Sequence, residues 1–132
     1  MSDPSRPLRI LIVDDHEDSA HAVALLLRRA GHEVTCAHTV AGAVALGTGR
    51  VVPDLLLCDV ELPDGNGCDL LRRLRASRGG RELPAIAITG HADEWEQRCR
   101  HAGYRGFMTK PVEFAEVLTT VAAVMRDGDG AG

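Results

Sequence analysis

The sequence predicts an α/β fold: a doubly wound parallel sheet of five strands with five helices packed on its two faces. Three observations predict it. Short apolar runs alternate five times with segments of helical period, the pattern of consecutive βα units. The strand-like runs are apolar at successive positions, as in Ile10-Leu11-Ile12-Val13 and Leu55-Leu56-Leu57-Cys58, which marks strands buried on both sides. The chain has 132 residues, the size of one ordinary domain.

Each element has its own reason. Leu8 to Val13 is a first strand, bounded by Pro7 and by Asp14-Asp15. Asp18 to Ala30 is helical, with Val23, Leu26, Leu27 and Ala30 at helical spacing and Gly31 as its stop. Glu33 to Ala37 is a second strand, and Thr39 to Leu46 an Ala-rich helix ended by Gly47 and Gly49. Pro53-Asp54 introduces a third strand, Leu55 to Cys58, which ends at Asp59. Leu62 to Gly67 is dense in turn residues. Asp69 to Ser77 is a helix with Leu70, Leu71 and Leu74 on one side, broken by Gly79-Gly80. Ala85 to Thr89 is the fourth strand, and Asp93 to Ala102 the fourth helix, with Trp95, Cys99 and Ala102 on one stripe. Gly106 to Thr109 is the fifth strand. Glu113 to Met125 is the last helix, with Phe114, Val117, Leu118, Val121 and Met125 at its core positions. The domain is thus expected over residues 8–126, between an N-terminal tail, 1–7, and a flexible Gly/Asp tail, 127–132.

Composition narrows the function. Apolar residues make up 45% and charged ones 26%, enough for a core, but aromatics are only 3%, so that core is aliphatic. The net charge of −4, from 15 basic and 19 acidic residues, argues against nonspecific nucleic-acid or anionic-membrane binding, which want a basic face. Arg72, Arg73, Arg75, Arg78 and Arg81 cluster, and at helical and loop positions they read as a solvated face. No apolar run is long enough to span a bilayer, and Met1 to Pro7 carries no signal segment. A cytoplasmic protein is expected. Cys36, Cys58, Cys68 and Cys99 form no CxxC, so they read as reduced, mostly buried thiols rather than zinc ligands. Lys110 is the single lysine among 15 basic residues. A compact ammonium does things a guanidinium fork does not.

In open parallel sheets, ligands bind beyond the carboxyl ends of the strands, where the strand order reverses. Strand one ends in Asp14 and Asp15, strand three in Asp59 and strand four in Thr89; Lys110-Pro111 follows strand five. Three carboxylates drawn into one volume repel each other unless a cation intervenes. Oxygen ligands without Cys or His favour a hard cation, Mg2+ or Mn2+. Acidic metal ligands, one ammonium and one hydroxyl describe a site for a phosphoryl group, and a carboxylate there can act as nucleophile, giving an acyl phosphate.

These pieces resemble the receiver domain of two-component response regulators, the CheY-like family. The resemblance is carried by Ile10-Leu11-Ile12-Val13-Asp14-Asp15, Leu55-Leu56-Leu57-Cys58-Asp59, Leu62-Pro63-Asp64-Gly65-Asn66-Gly67, Ala87-Ile88-Thr89-Gly90 and Phe107-Met108-Thr109-Lys110-Pro111. It covers residues 8–126 and implies the flavodoxin-like strand order 2-1-3-4-5. It also implies that Asp59 accepts phosphate in a phosphorelay, from a phosphohistidine on a histidine kinase or histidine phosphotransfer protein. Asp15, Asp59 and the backbone carbonyl of Glu61 would ligate Mg2+, with Asp14 assisting through water. Lys110 would pair with the phosphorylated carboxylate, next to a cis bond to Pro111. Thr89 and the aromatic Phe107 would be switch residues, biasing the face of the fourth helix, fifth strand and fifth helix toward a downstream protein. Such a module assists its own phosphotransfer without being an enzyme, as a monomer or a phosphorylation-dependent homodimer.

Glu61, two residues after the acceptor, and His91, two after Thr89, occupy positions that the family varies and that tune the life of the acyl phosphate. His91 also reads as an exposed loop histidine. A phosphatase of the haloacid dehalogenase type also uses an aspartyl phosphate, but it wants Asp two residues after the nucleophile and Thr two further on, where Glu61 and Pro63 stand. A flavin or nucleotide binder wants a Gly/Ser/Thr-rich loop after strand one, whereas Asp14-Asp15-His16-Glu17-Asp18 repels phosphate. No stretch after the last helix reads as a DNA-binding output. The expectation is a stand-alone regulator or, alternatively, a receiver excised from a hybrid sensor histidine kinase.

Overall fold

A computed structural model describes residues 6–79 and 82–130. Residues 1–5 and 131–132 of the two expected tails, and Arg81 of the arginine cluster, lie outside them. The chain runs β1 (Arg9–Val13), α1 (Glu17–Arg29), β2 (Glu33–Ala37), α2 (Val40–Gly47), β3 (Leu55–Asp59), β4 (Glu61–Leu62), β5 (Gly65–Asn66), α3 (Gly67–Ser77), β6 (Ala85–Thr89), α4 (Ala92–Ala102), β7 (Gly106–Thr109) and α5 (Phe114–Gly130). One five-stranded sheet has the order β2-β1-β3-β6-β7, and all its pairings are parallel. Counted among these five strands, that is 2-1-3-4-5, the flavodoxin-like order. The turn-rich stretch after β3 closes into a two-stranded hairpin, β4 on β5, which turn composition alone does not reveal.

Alternation along the strands builds two cores. Ile10 and Ile12 of β1, with Leu55 and Leu57 of β3, meet Ala20, Ala24 and Leu27 of α1 and Val117, Val121 and Val124 of α5. Leu11, Val13, Leu56 and Cys58 point the other way, against Ala43 of α2, Leu70, Leu71 and Leu74 of α3, and Cys99 and Ala102 of α4. Each large aliphatic side chain so buried contributes about 1.5–3 kcal/mol. Helices on both faces are what a strand apolar at every position requires.

Several expectations need correction. In α5 the buried stripe is Val117, Val121 and Val124, while Phe114 is 54% and Leu118 39% exposed. The backbone of α5 also continues to Gly130 rather than stopping at Met125. Within the arginine cluster, Arg75 donates to the carbonyls of Ala102, Leu83 and Gly103, and Arg78 to those of Pro53 and Glu82. These two guanidinium groups are structural clamps on loop carbonyls, not a solvated face. Gly103 ends α4 at φ +110°, a conformation that favours glycine. No helix among the described residues is long and apolar enough to cross a membrane.

Candidate functional site

The chain passes from β1 outward to β2, then back past β1 to β3. The loops after β1 and β3 therefore diverge, and the crevice between them opens at the carboxyl end of the sheet. Asp14 stands first at this rim. Its N–H donates to Ala37 O at 3.0 Å, extending the β1–β2 ladder by one residue. Its Oδ1 accepts from His16 N–H at 2.9 Å. Asp15 is exposed beside it.

Asp59 is the last residue of β3 and only 6% exposed, as Asp14 is only 7%. Its Oδ1 accepts from Glu61 N–H at 3.2 Å, and its Oδ2 from Lys110 Nζ at 2.8 Å. Lys110 Nζ also lies 3.7 Å from Asp14 Oδ1. The lysine is anchored by its own N–H, which donates to Thr89 O at 2.8 Å, and the Lys110–Pro111 peptide is cis. Thr89 is 1% exposed. Its Oγ1 accepts from His91 N–H at 3.0 Å, which leaves the hydroxyl proton free to donate. Phe107 lies opposite Ala87 on β7, half-buried against the core beneath α3 and α4.

The floor of the crevice is tight. A Cβ on Gly67 would come within 3.0 Å of Tyr104 Oη, 3.1 Å of Cys58 Sγ and 3.3 Å of Asp59 O. Tyr104 Oη donates to Gly67 O at 2.8 Å. The start of α3 is thereby fixed directly under the Asp59 backbone.

The electrostatics are unbalanced. One ligand atom each from Asp14, Asp15, His16 and Asp59 can be chosen so that all lie within 4.8 Å of one another. Two carboxylates about 4 Å apart repel by about 4 kcal/mol at an effective dielectric of about 20. Three of them make three such pairs; Lys110 makes attractive pairs with the same carboxylates, but one ammonium against three carboxylates still leaves the crevice with an excess of negative charge. Burial pushes the Asp59 carboxyl above its usual range, outweighing the opposing hydrogen bond and charge of Lys110. Burial pulls Lys110 down, but its hydrogen bond to Asp59 and the fields of Asp59, Asp14 and Asp15 more than compensate, so its ammonium is held above the usual range. Both partners thus move upward: burial decides for the carboxyl, the surrounding anions for the lysine. Three carboxylates converging on one point suit a hard divalent cation. The His16 imidazole does not belong to that donor set, and its Nδ1 instead faces Asp15 at 3.2 Å and Asp14 at 3.5 Å.

The structure thus gathers Asp14, Asp15, Asp59 and Lys110 directly. Thr89 is tied in through the backbone of Lys110, and Glu61 through its N–H. Sequence reading missed what the Glu61 side chain does. Its Oε1 accepts from His91 Nδ1 at 2.8 Å and from Trp95 Nε1 at 2.9 Å, bridging the acceptor loop to the first turns of α4. It also missed Asp64, whose carboxylate accepts from Val40 and Ala41 N–H at 2.7 and 3.0 Å and ties the β4–β5 hairpin to the N-terminus of α2. The signal was present in each case, a polar side chain in a loop opposite a helix start. It names its partner only once the loops are placed.

A sequence profile described as the response regulator receiver domain matches residues 10–122. The sensory/regulatory protein RpfC of Xanthomonas campestris pv. campestris is 34% identical over 120 residues, covering 89% of this chain and 16% of RpfC. The chain therefore spans about a sixth of that relative's length. Protein PilH of Pseudomonas aeruginosa is 33% identical over 121 residues, covering 89% of this chain and 97% of PilH. Among solved structures, the receiver domain of sensor histidine kinase PA1611 from Pseudomonas aeruginosa PAO1 superposes with a TM-score of 0.77 at 30% identity, covering 92% of this chain and 97% of that one. That structure carries a magnesium ion coordinated in its active site cleft.

Proposed function

This chain belongs to the response regulator receiver domain family, and from that premise we propose that it is a phosphoacceptor module in which Asp59 takes a phosphoryl group from a phosphohistidine. The observation that carries this reading is the 2.8 Å pairing of the single lysine with a buried aspartate at the strand-order reversal, beside Asp14. In the transfer, an Asp59 oxygen attacks phosphorus, the O–P bond forms, the N–P bond breaks, and the electron pair returns to the donor imidazole. Lys110 follows the carboxylate and pairs with the acyl phosphate. The Thr89 hydroxyl donates to a phosphoryl oxygen, since its own lone pair already serves His91. Asp15, Asp59 and the Glu61 carbonyl, with Asp14 assisting through water, would hold Mg2+ or Mn2+, which would supply charge neutralisation for the phosphoryl oxygens. The receiver of PA1611, with magnesium in its cleft, supports this assignment.

Thr89 and Phe107 relay the change to the face of α4, β7 and α5, where a downstream protein binds. The donor is a histidine kinase or a histidine phosphotransfer protein, in the cytoplasm. The similarity to RpfC favours a second reading, in which this segment is the receiver of a hybrid sensor kinase. The mass of the native polypeptide that carries the segment separates this from a stand-alone regulator. The chemistry is tested with acetyl phosphate and Mg2+ followed by intact mass. One added phosphate is expected on the parent and none on Asp59→Asn; equal labelling of both would sink the assignment.

A further inference from the structure

The last residue of β2 and the one after it hold the backbone of Asp14 from both sides. Ala37 O accepts the Asp14 N–H at 3.0 Å, and Nδ1 of the His38 ring lies 2.8 Å from the Asp14 carbonyl oxygen. A carbonyl only accepts, so Nδ1 carries the proton and donates. The neutral ring protonated at Nδ1 and the imidazolium both donate there, so the contact does not depend on the charge of His38. The register of β1 with β2 runs as far as Val13 and Ala37. The imidazole carries the hold one residue further.

The Asp14 carbonyl belongs to the peptide that joins Asp14 to Asp15. Each peptide unit is planar, so the Ala37 contact orients the plane before Asp14 and the His38 contact the plane after it. Two neighbouring residues that both face one ion need that second plane in a single orientation. His38 is itself well placed to supply it. Thr39, next in the chain, caps α2, its Oγ1 accepting the Gly42 N–H at 3.0 Å. The half-buried His38 ring stands nearly perpendicular to His21, with centroids 6.3 Å apart and planes at 81°. Its Nε2 faces Glu17 Oε1 at 3.9 Å. The backbone of His38 is thus fixed by the start of α2, and its ring is flanked by the first turns of α1.

We propose that His38 is a positioning residue of the carboxylate crevice: by holding the peptide between Asp14 and Asp15, it sets where both carboxylates stand for a divalent cation. The inference rests on the reading of the crevice as a cation site. It adds a residue from outside the carboxylate set, in the loop between β2 and α2. Groups that orient metal ligands from behind typically contribute 10–100-fold in affinity.

The experiment is calorimetric titration of the full chain with MgCl2 at fixed ionic strength, on the parent, His38→Phe, His38→Asn and His38→Gln. Phenylalanine keeps a ring and removes the donor. The asparagine amide places a donor near the position of Nδ1, and glutamine carries the same amide one carbon further out. Mg2+ binding is expected to weaken about 10–100-fold in His38→Phe and His38→Gln, and His38→Asn to recover most of the loss. A second readout needs no ion. In chelator, the Asp15 and His16 amide resonances are expected to move in His38→Phe and His38→Gln and to return toward the parent in His38→Asn. Cooperative melting identifies the folded variants, and if His38→Phe does not fold, His38→Gln against His38→Asn decides. Parent-like affinity in His38→Gln, equal losses in His38→Gln and His38→Asn, or unmoved Asp15 and His16 amides would each overturn the positioning role alone. A parent that binds Mg2+ no better than Asp59→Asn would instead sink the cation reading, and the positioning role with it.

Discussion

His32 shows how one ring nitrogen makes stability depend on pH. Its Nδ1 accepts the Leu8 N–H at 3.1 Å, stitching the start of β1 to the approach to β2. Only the neutral imidazole accepts there, and burial holds its pKa below the usual histidine value. The folded state therefore binds the proton more weakly than the unfolded chain. That contribution is complete above the unfolded pKa of about 6.5 and is lost as pH falls through the lower folded value. In His32→Asn an amide oxygen accepts in place of the imidazole and does not titrate. The urea midpoint of the parent is expected to fall further than that of His32→Asn between pH 8 and pH 5, and identical acid sensitivity would contradict the assignment. The buried thiols show the opposite displacement. Burial and the neighbouring Cys68 push Cys99 up to about 12, and burial raises Cys58 as well, so at neutral pH both are inert apolar filler. Their lack of paired spacing said as much in the sequence. His32 was not legible that way, because its partner is a backbone N–H 24 residues away.

At the scale of an element, α5 separates what periodicity reveals from what it does not. Phe114 and Leu118 are four apart, and so are Val117 and Val121. Both pairs satisfy a helical stripe, so the sequence reads one broad apolar face. The sheet decides between them. The α5 helix flanks β7, the last strand of the sheet, so only the valine stripe reaches the core shared with α1. Val121→Ala removes two buried methyl groups and leaves a cavity, an expected loss of about 2 kcal/mol. Phe114→Ser and Leu118→Gln are expected to stay within about 0.5 kcal/mol. Chemical denaturation of the three variants checks the ordering, and a larger loss from Phe114→Ser than from Val121→Ala would reverse the stripe. The α4 helix carries a comparable ambiguity. Its Trp95-Cys99-Ala102 stripe packs inward, yet the Trp95 Nε1–H still reaches Glu61. An indole has an apolar body and one polar tip, and the stripe registers only the body.

For the whole molecule, the strand order does the assembling. Asp14, Asp59, Thr89 and Lys110 are spread over 97 positions of the chain, from 14 to 110. Parallel strands bring every carboxyl end to one rim, so the site is readable from the residues that end or immediately succeed each apolar run. That rule cannot supply the contacts made by side chains lying along the rim, such as His16 with Asp15 or Glu61 with His91, because they depend on loop conformation rather than on strand polarity. The same assembly concentrates negative charge beyond what Lys110 offsets, so folding itself works against this repulsion. A divalent ion that binds the folded crevice and not the unfolded chain shifts the equilibrium by mass action. At ten times its dissociation constant it adds about 1.4 kcal/mol, roughly 5 °C in Tm for a domain of this size. Mg2+ is therefore expected to raise Tm over a chelator control at matched ionic strength, where general screening is equal. Asp15→Asn removes one of the repelling charges from an exposed position, so it should begin at a higher Tm in chelator and gain less from Mg2+. If the parent melts at the same temperature with and without the ion, the carboxylates are neither strained by mutual repulsion nor arranged to hold a cation.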